Sequence, residues 1–554
     1  MPDQRGGAPT AVATALLDGL SATGATHVVL SPGSRSTPLA MAASACDAFA
    51  VTVLVDERSA AFFALGEARH AGRPAILIAT SGSAPAHWLP AFIEAAEDGV
   101  PMLAVSADRP PELVGCGANQ ATHQASILAS HARGVFSVAA DMTASEALDE
   151  GRRAALIACY PQPGPVHVNL AIRDPRPPSA PLPAWAPTVA PIRVPSNGAA
   201  ILPEGLAPGG RGMIVCGRLP PVEGLPERIA ALAEALDVPI LADVLSGLRF
   251  GDGDASRLVA GELALRARKI TPADWSIEIG GAPVSRTTSE WAGRTAFRMI
   301  LTNRADWPDP GRTAACILAG GLNATLDVLA HRLAPGPGLL GTLREAELAA
   351  RQALKKPGAM PAEARAIAEL FALLPENTPV FAGNSMVIRD VDAFAAVREM
   401  GPRIRGNRGV SGIDGNLSTA AGLIDAANQA GVALLGDLAL FHDLNALHLL
   451  RDRPVVAFVI DNGGGGIFGL LPHQHLQGFE RLWLTPTGLN IEAAAAAFDI
   501  ECTVYGDPVG AATAVANAVR NRRGSVVVLR VDRADSESRR RDLWLALPHG
   551  GSRP

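Results

Sequence analysis

The chain has 554 residues, of which 48% are apolar and 18% are charged, and its formal net charge is −6. This ordinary globular profile excludes a disordered or fibrous protein and argues against nucleic acid as a partner. A single core rarely grows beyond about 250 to 300 residues, so we expect about three domains. The six cysteines are widely spaced, which argues against a zinc site or a disulfide framework and favours a reducing cytoplasm.

The N-terminal stretch TAVATALLDGLSATG predicts an amphipathic helix that ends near Gly24, without the cationic start of a signal peptide. No apolar run approaches the roughly 20 residues that a membrane-spanning helix needs. We therefore expect a cytoplasmic protein without a membrane partner.

Short runs rich in Val, Ile and Leu follow, and they alternate with Ala-rich helical stretches along the chain. The predicted strands are THVVLS, VTVLVD, PAILIAT, PMLAVSA, GPVHVNL, GMIVCG, VPILAD, RMILTN and VALLGD. Because their hydrophobicity is continuous rather than alternating, these strands are expected to be buried on both faces. The predicted fold class is α/β, with doubly wound parallel sheets.

Two breaks divide this pattern into three segments of similar size. Residues 174–196 are too rich in proline for a helix or a central strand, and KKPGAMP at residues 355–361 is a shorter boundary of the same type. The predicted domains are therefore residues 1–182, 197–354 and 361–554. Near the C-terminus, the charge run RADSESRRRDLW predicts a solvated helix face.

A run of glycines marks a candidate binding site. In VIDNGGGGIFG an apolar run stops at Asp461 and Asn462, and upstream VALLGDLALFHDLNAL ends another run on Asp437. Ligands collect at the carboxyl ends of parallel strands, where glycines let the backbone approach a phosphate or a metal. The Asp437 carboxylate, the Asn462 amide oxygen and the Gly464 carbonyl suit Mg²⁺ or Mn²⁺, with phosphates completing the shell. A plain tight turn is the alternative interpretation.

The glycines match neither a G-x-G-x-x-G dinucleotide fingerprint nor a P-loop, because no Lys-Ser or Lys-Thr follows them. The Gly-Asp pair at Asp437 is followed by Asn462 after 25 positions. This spacing resembles the thiamine diphosphate signature, although the third position of that signature is commonly glycine and is Leu438 here. Thiamine diphosphate chemistry also needs a carboxylic acid beside the aminopyrimidine ring. Glu57 in VTVLVDERSAAFFALG is the candidate, and an acid that complements a helix dipole is the alternative.

Further motifs extend this resemblance over both outer thirds of the chain. The N-terminal third contains SPGSRSTPLA, DERSAAFFALG, TSGSAPA, SADRPPELVGCGANQATHQ and GPVHVNL, and the C-terminal third contains GNSMVIRD, NRGVSGIDGNLSTAAG, GDLALFHDLNAL and GGIFGLLP. In this order they resemble the thiamine diphosphate-dependent 2-succinyl-5-enolpyruvyl-6-hydroxy-3-cyclohexene-1-carboxylate synthases of menaquinone biosynthesis. The middle third matches mainly in its α/β pattern and position.

The resemblance implies three α/β domains of the thiamine diphosphate-dependent type, and a reaction that decarboxylates 2-oxoglutarate and adds the resulting succinyl carbanion to isochorismate. The residues implied to bind the cofactor or its metal are Glu57, Thr80, Gly82, Ser385, Ile413, Asp437, Leu438, Asn462, Gly464, Ile467 and Phe468. Those implied to bind the substrates are Ser34, Arg35, Arg109, Asn119, Gln120, Arg286, Ser385, Arg389, Arg408, Phe468 and Leu471. Those implied to act in catalysis are Glu57, Gln120, Arg389 and Arg408.

The two substrates carry several carboxylates, which match the planar fork of arginine. By resemblance, Ser385 and Arg389 bind the distal carboxylate of 2-oxoglutarate. The residues assigned mainly to isochorismate are Arg35, Arg109, Gln120 and Arg408. Arg286 stands near the place of a basic pair in the family, but its neighbour is Thr287, so only one cation is available there.

The resemblance also implies apolar contacts and an assembly. Ile413 would support the bent form of the cofactor, and Ile467, Phe468 and Leu471 would form apolar walls, although core packing predicts the same burial. The family places Glu57 and the metal motif of different subunits around one cofactor, so a homodimer or homotetramer is expected.

Two alternatives stay open. The first is another thiamine diphosphate-dependent 2-oxo acid decarboxylase or acetohydroxyacid synthase. The second is a non-catalytic relative that binds a phosphate ligand. His123 and His442 are expected to be structural, because no motif places them in a catalytic role.

Overall fold

The computed structural model describes residues 9–173, 175–177, 180–191, 198–204, 209–252, 258–304, 308–396, 398 and 400–547. Residues 1–8 of the first predicted domain and residues 548–554 of the last lie outside the described residues. The same holds for position 197 and for parts of the proline-rich break, at 174, 178–179 and 192–196. Within the described ranges, no helix has the length and apolar character needed to cross a membrane.

The strands form three parallel sheets of six strands each. The first contains β1 (His27–Leu30), β2 (Ala50–Val53), β3 (Ala75–Ala79), β4 (Met102–Asp108), β5 (Gly134–Val138) and β6 (Pro165–Ala171), in the order β2-β1-β3-β4-β6-β5. The second contains β7 (Gly212–Cys216), β8 (Ile240–Ala242), β9 (Leu258–Val259), β10 (Trp275–Ile279), β11 (Phe297–Thr302) and β12 (Cys316–Ala319), in the order β12-β11-β10-β7-β8-β9. The third contains β13 (Pro379–Ala382), β14 (Arg403–Arg405), β15 (Gly431–Gly436), β16 (Val455–Asp461), β17 (Cys502–Tyr505) and β18 (Ser525–Arg530), in the order β14-β13-β15-β16-β18-β17.

Helices connect these strands. The helices around the first sheet are α1 (Pro9–Ser21), α2 (Thr37–Ser44), α3 (Glu57–Ala71), α4 (Leu89–Asp98) and α5 (Ala144–Cys159). The next are α6 (Leu225–Leu236), α7 (Gly261–Ala267), α8 (Arg286–Ala292), α9 (Leu322–Arg332) and α10 (Leu340–Leu354). The last are α11 (Ala362–Leu373), α12 (Met386–Phe394), α13 (Asn416–Ala427), α14 (Asp437–His442), α15 (Ile491–Ala497), α16 (Pro508–Arg520) and α17 (Arg533–Ala546).

This architecture confirms the predicted α/β fold with parallel sheets. Each apolar run that was predicted as a strand overlaps an observed strand, and the predicted N-terminal helix is α1. Counted from its own first strand, the third sheet repeats the strand order of the first sheet, whereas the second sheet has a different order. The two outer sheets therefore present their strand ends in the same arrangement.

The chain folds into two compact units. The first comprises residues 1–195, 407–428 and 442–449, and the second comprises residues 196–406, 429–441 and 450–554. The three domain boundaries inferred from the sequence stay a prediction.

In the first unit, α1, α2 and α5 share a buried apolar cluster with residues of the first sheet, including Val28, Ile76 and Val105. Helix α13 packs closely against α3. A Cβ atom at Gly66 of α3 would lie 2.0 Å from the carbonyl oxygen of Thr419. The backbones of these two helices can approach this far only because glycine lies at the crossing.

In the second unit, the third sheet and its helices enclose a core that includes Val380, Leu434 and Phe458. The C-terminal charge run forms α17, but it is not a simple solvated face, so that prediction is wrong in part. Arg540 is 5% exposed and is paired with Asp390 at 2.6 Å and Glu363 at 2.9 Å. A buried guanidinium is retained here because two carboxylates compensate its charge.

Replacing Gly66 with Ala should destabilise the protein by about 1 to 3 kcal/mol, because the added methyl group overlaps the Thr419 carbonyl and forces the helices apart. The free energy of unfolding would be measured by chemical denaturation. Gly341→Ala is the matched control, because Gly341 is an exposed residue of α10 and a Cβ there meets no atom within 4 Å. Equal stability of the two variants would contradict the close packing of α3 and α13.

Candidate functional site

Several predicted residues follow neighbouring strands of the first sheet. Ser34 and Arg35 come after β1, and Thr80 comes directly after β3. A Cβ atom at Gly33 would lie 2.3 Å from Cβ of Thr80, so these two loops are in contact. Arg35 is 8% exposed, and its Nη1 atom donates to the carbonyl oxygens of Ile172 at 2.6 Å and Arg173 at 3.1 Å. The Arg35 side chain is thereby fixed over the end of β6.

Further groups join this edge from the loop after β4. Gln120 donates from Nε2 to the carbonyl oxygen of Ser81 at 3.2 Å, and a Cβ at Gly82 would lie 2.8 Å from Cγ of Gln120. Arg109 donates from Nε to the carbonyl oxygen of Asn119 at 3.0 Å. Gln120 has a φ of 59°, a left-handed conformation that is uncommon without glycine and is concentrated at functional sites.

A buried network of polar side chains, which the sequence patterns did not predict, supports these loops. Gln124 Oε1 accepts from the Gly82 amide at 2.9 Å, and its Nε2 donates to Asn169 Oδ1 at 2.9 Å. Asn169 Nδ2 donates to Asp108 Oδ2 at 2.8 Å, and Asp108 Oδ1 accepts from the Arg109 amide at 2.7 Å. Burial raises the pKa of Asp108. One hydrogen-bonded chain therefore sets the backbone positions of Gly82 and Arg109.

Glu57 is the first residue of α3 and is half-buried. The preceding residue, Asp56, caps the helix by accepting from the amides of Arg58 at 2.8 Å and Ser59 at 3.1 Å. The other oxygen of Asp56 accepts from the side chain of Asn445. These bonds define the turn on which Glu57 lies, and Asp56 and Asn445 are further positioning groups that the sequence did not reveal.

Arg408 and Ile413 lie in the segment between β14 and α13, and both are half-buried. Asn416 at the start of α13 donates from Nδ2 to the carbonyl oxygens of Gly412 at 3.1 Å and Asp414 at 3.0 Å. These two bonds bracket Ile413. All the groups described so far belong to the first compact unit.

In the second unit, Asp437 and Asn462 follow two adjacent strands of the third sheet. Asp437 comes directly after β15 and Asn462 directly after β16, and Gly436 pairs with Ile460. Burial raises the pKa of Asp437 to about 6, the amides of Leu438 and Gly464 lower it, and the negative charge of Asp461 raises it. Leu438 donates its amide to Asp437 Oδ1 at 2.9 Å.

These residues fit a magnesium ion bound with a diphosphate. Oδ1 of Asn462 is buried and accepts no hydrogen bond from any residue that the structure describes. Gly464 has a φ of +126°, and a Cβ there would lie 2.1 Å from the Leu484 carbonyl oxygen, so glycine is required at this turn. A buried carboxylate and an unsatisfied amide oxygen are ligands that Mg²⁺ accepts.

A metal bound here would need the phosphate oxygens of a bound molecule to complete its coordination shell. Within the described ranges, no group of three or more His, Cys, Asp and Glu side chains could hold a metal ion. A site of one carboxylate, one amide oxygen and one carbonyl is typical of Mg²⁺ shared with phosphates.

Apolar side chains follow the glycines. Ile467 and Phe468 lie in a 3-10 turn, Gly466–Leu470, and Leu471 follows it. All three are half-buried, and the Phe468 ring lies edge-on to the His473 ring at 6.1 Å between centroids. They form an apolar surface next to the proposed metal ligands in the chain.

Ser385 and Arg389 follow β13, which pairs with β15. Ser385 precedes α12 with a φ of 70° and a ψ of −128°, a conformation that non-glycine residues rarely adopt. Arg389 is exposed, and its Nη1 atom donates to the carbonyl oxygen of Ser385. The guanidinium and the strained serine therefore lie together at the start of the helix.

Two buried ion pairs anchor α12, and neither was predicted. Asp390 pairs with Arg540 at 2.6 Å, and Asp392 pairs with Arg249 at 2.7 Å. Burial raises the pKa of Asp390 to about 6 and that of Asp392 to about 7, while the partner arginines lower both values. The helix that carries Arg389 is thus fastened at two positions that directly follow that residue.

Arg286 lies elsewhere in the second unit, at the start of α8 beside the second sheet. Its side chain is 84% exposed, and its Nε atom lies 2.6 Å from Oε1 of Glu290. Its assignment to a substrate stays a prediction. The exposed residue His442 contributes its carbonyl oxygen, which accepts from Arg58 at 3.0 Å.

Comparisons with known proteins identify the family of this chain. Residues 10–130 match the family model "Thiamine pyrophosphate enzyme, N-terminal TPP binding domain". A 2-succinyl-5-enolpyruvyl-6-hydroxy-3-cyclohexene-1-carboxylate synthase of Dechloromonas aromatica is 39% identical, over 88% of this chain and 92% of the relative. Proteins of the same name are 37% identical in Geobacillus thermodenitrificans, over 96% of this chain and 95% of the relative, and 35% identical in Myxococcus xanthus, over 96% of both.

Similarity at this level extends over nearly the whole chain, including the middle third, which the motifs alone did not cover. The structure and the comparisons lead to one conclusion: this chain belongs to the 2-succinyl-5-enolpyruvyl-6-hydroxy-3-cyclohexene-1-carboxylate synthase family of thiamine diphosphate-dependent enzymes.

Proposed function

We propose that this protein decarboxylates 2-oxoglutarate and adds the resulting succinyl unit to isochorismate, as a step of menaquinone biosynthesis that depends on thiamine diphosphate and Mg²⁺ or Mn²⁺. The observation that carries the proposal is the pair of oxygen groups at the ends of β15 and β16. Asp437 is buried, and the amide oxygen of Asn462 is buried and accepts no hydrogen bond from the described residues. A divalent cation satisfies both groups at once.

The residues assigned to the metal and the cofactor have separate roles in the proposal. Asp437, Asn462 and the Gly464 carbonyl bind the metal, and the glycine turn admits the diphosphate. When bound, thiamine diphosphate supplies a nucleophilic carbon and stores the electrons that decarboxylation releases. Ile467, Phe468 and Leu471 would exclude water from the reacting centre, and Ile413 would support the cofactor.

Glu57 has the role of hydrogen-bonding the ring nitrogen of the aminopyrimidine and holding a proton there. In the proposed assembly, Glu57 of one protomer serves the cofactor held by Asp437 and Asn462 of another, so a homodimer is the smallest active form and a homotetramer is possible by symmetry. The fixed turn around Asp56 supports this role, because a proton-transfer group needs a defined position.

The arginines divide between the substrates. Arg389 and Ser385 bind the distal carboxylate of 2-oxoglutarate, which their proximity at the start of α12 supports. The groups assigned mainly to isochorismate are Arg35, Arg109, Gln120 and Arg408, and Ser34 and Asn119 are further substrate-binding groups. A planar guanidinium can bind a carboxylate with two parallel hydrogen bonds, which orients the substrate as well as holding it. The proposed location is the cytoplasm, since the six cysteines are unpaired in the structure.

The reaction itself is the first test. Purified protein with thiamine diphosphate, Mg²⁺, 2-oxoglutarate and isochorismate should form the coupled product, detected by its mass. Omission of the cofactor or treatment with a chelator should abolish it, because the metal anchors the diphosphate. Consumption of 2-oxoglutarate with other acceptors but not with isochorismate would instead identify a different thiamine diphosphate-dependent enzyme.

Glu57→Gln should slow turnover by about 100-fold to 10,000-fold, because an amide cannot hold or transfer the proton that the carboxyl group handles. Cofactor affinity should change little, since Glu57 lies outside the metal motif. The measurement is exchange of the thiazolium carbon proton, followed by NMR in the holoenzyme. The same substitution at exposed Glu97 is the control. Unchanged exchange in the Glu57 variant would refute this role.

Asp437→Asn should raise the Mg²⁺ concentration for half-maximal binding of thiamine diphosphate by at least about 100-fold, because Asp437 is the one carboxylate among the proposed protein ligands. Cofactor binding would be followed by quenching of protein fluorescence. Asp461→Asn is the matched control, because Asp461 is a neighbouring carboxylate with no assigned contact to the metal. If the control weakened binding as much as the Asp437 variant, the ligand assignment would be wrong.

A further inference from the structure

The segment that carries Arg408 is fastened to helix α4 by one buried carboxylate. Glu94 accepts from the amide of Gly409 at 2.8 Å through Oε1 and from the amide of Val410 at 2.8 Å through Oε2. Glu94 is 2% exposed. Hydrogen bonds to a charged acceptor are stronger than neutral ones, so these two bonds fix the backbone immediately after Arg408.

A buried arginine compensates the charge of Glu94 and reaches the other side of Arg408. Arg69 Nη2 lies 3.5 Å from Glu94 Oε1 and donates to Asn407 Oδ1 at 3.3 Å, and Arg69 also pairs with Asp98. Asn407 in turn donates from Nδ2 to the hydroxyl oxygen of Thr419 at 3.0 Å. Arg408 is therefore bracketed by Asn407 before it and by the Glu94 bonds after it.

The approach of this segment to α4 requires glycine next to Arg408. A Cβ atom at Gly409 would lie 2.5 Å from the carbonyl oxygen of Glu94 and 3.2 Å from the amide nitrogen of Asp98. Both atoms belong to the helix backbone, which cannot move aside easily. The contact is thus sterically defined as well as hydrogen-bonded.

The same carboxylate does not bond to the part of the segment that contains Ile413. There, Asn416 donates to the carbonyl oxygens of Gly412 and Asp414. Glu94 thus holds the part of the segment next to the arginine, and Asn416 holds the part that contains the isoleucine. A change at Glu94 should therefore act on the Arg408 end.

We propose that Glu94 is a positioning residue for Arg408, and that it determines the affinity for isochorismate while leaving the 2-oxoglutarate step intact. The inference rests on the proposed function, in which Arg408 binds isochorismate. Glu94 is buried under the segment and acts through the peptide groups of Gly409 and Val410. Its two oxygens set the direction in which the Arg408 side chain leaves the backbone.

Glu94→Gln tests the proposal. An amide keeps one acceptor but presents a donor to one of the two backbone N–H groups, so the KM for isochorismate should rise about tenfold. The KM for 2-oxoglutarate and the affinity for thiamine diphosphate should stay within about twofold, because other side chains anchor those residues. Glu97→Gln, the same change at an exposed position of α4, is the control and should alter neither constant.

Gly409→Ala is a second variant that keeps the charged cluster and displaces the segment by steric overlap, so it should give the same selective rise in KM. Hydrogen exchange of the 409 and 410 amides, measured by mass spectrometry, should accelerate in both variants and not in the control. Equal KM values for isochorismate in all variants and wild type, with exchange accelerated, would overturn the inference. Lack of coupled product with the wild-type enzyme would instead overturn the proposed function.

Discussion

Parallel strand pairing is the constraint on which the candidate sites depend. In a parallel sheet the carboxyl ends of all strands lie at one edge, so the loops after neighbouring strands bring together residues that are far apart in the chain. In the first sheet, β1, β3 and β4 are neighbours, and the loops after them carry Arg35, Thr80 and Arg109. In the third sheet, β13, β15 and β16 are neighbours, and Ser385, Asp437 and Asn462 follow them within a few residues.

The strand orders locate these sites more narrowly. In both outer sheets the order of strands reverses between the first and third strands of the sheet, β1 and β3 or β13 and β15. At such a reversal the connecting helices leave on opposite faces of the sheet, and ligands of open α/β sheets commonly bind there. Arg35 and Thr80 follow the two strands at one reversal, and Ser385 and Asp437 follow the two strands at the other. The two outer sheets thus share one strand order, and the residues in their loops differ in chemical character.

Sequence patterns predicted the strands because strands depend on local order in the chain. The ends of two apolar runs also placed Asp437 and Asn462 directly after strands, where the structure has them, while their role as metal ligands stays a prediction. The ion pairs of Arg540 and Arg249 carry no such signal, since each joins residues more than 140 positions apart. The charged run around Arg540 predicts a solvated helix because local polarity cannot show that a distant carboxylate neutralises the arginine.

The missed residues share a physical role. Glu94, Gln124 and Asn445 are polar side chains that bond to a loop or to its capping residue rather than to the expected ligands. From the sequence alone, a buried polar residue that positions a loop cannot easily be told from an exposed polar residue. Asn169 is an exception, because it lies within the apolar run that forms the buried strand β6.

Separate sets of buried charges anchor the segments that carry Arg389 and Arg408. Arg389 lies on a helix anchored by Arg540 and Arg249, whereas the segment of Arg408 is anchored by Glu94 and Arg69. Each anchor places a compensated charge in the interior, where displacement of one partner leaves the other unpaired and is costly. Because the two anchors share no side chain, substitutions in one should add to those in the other rather than couple with them. The positions of Arg389 and Arg408 can therefore be altered separately.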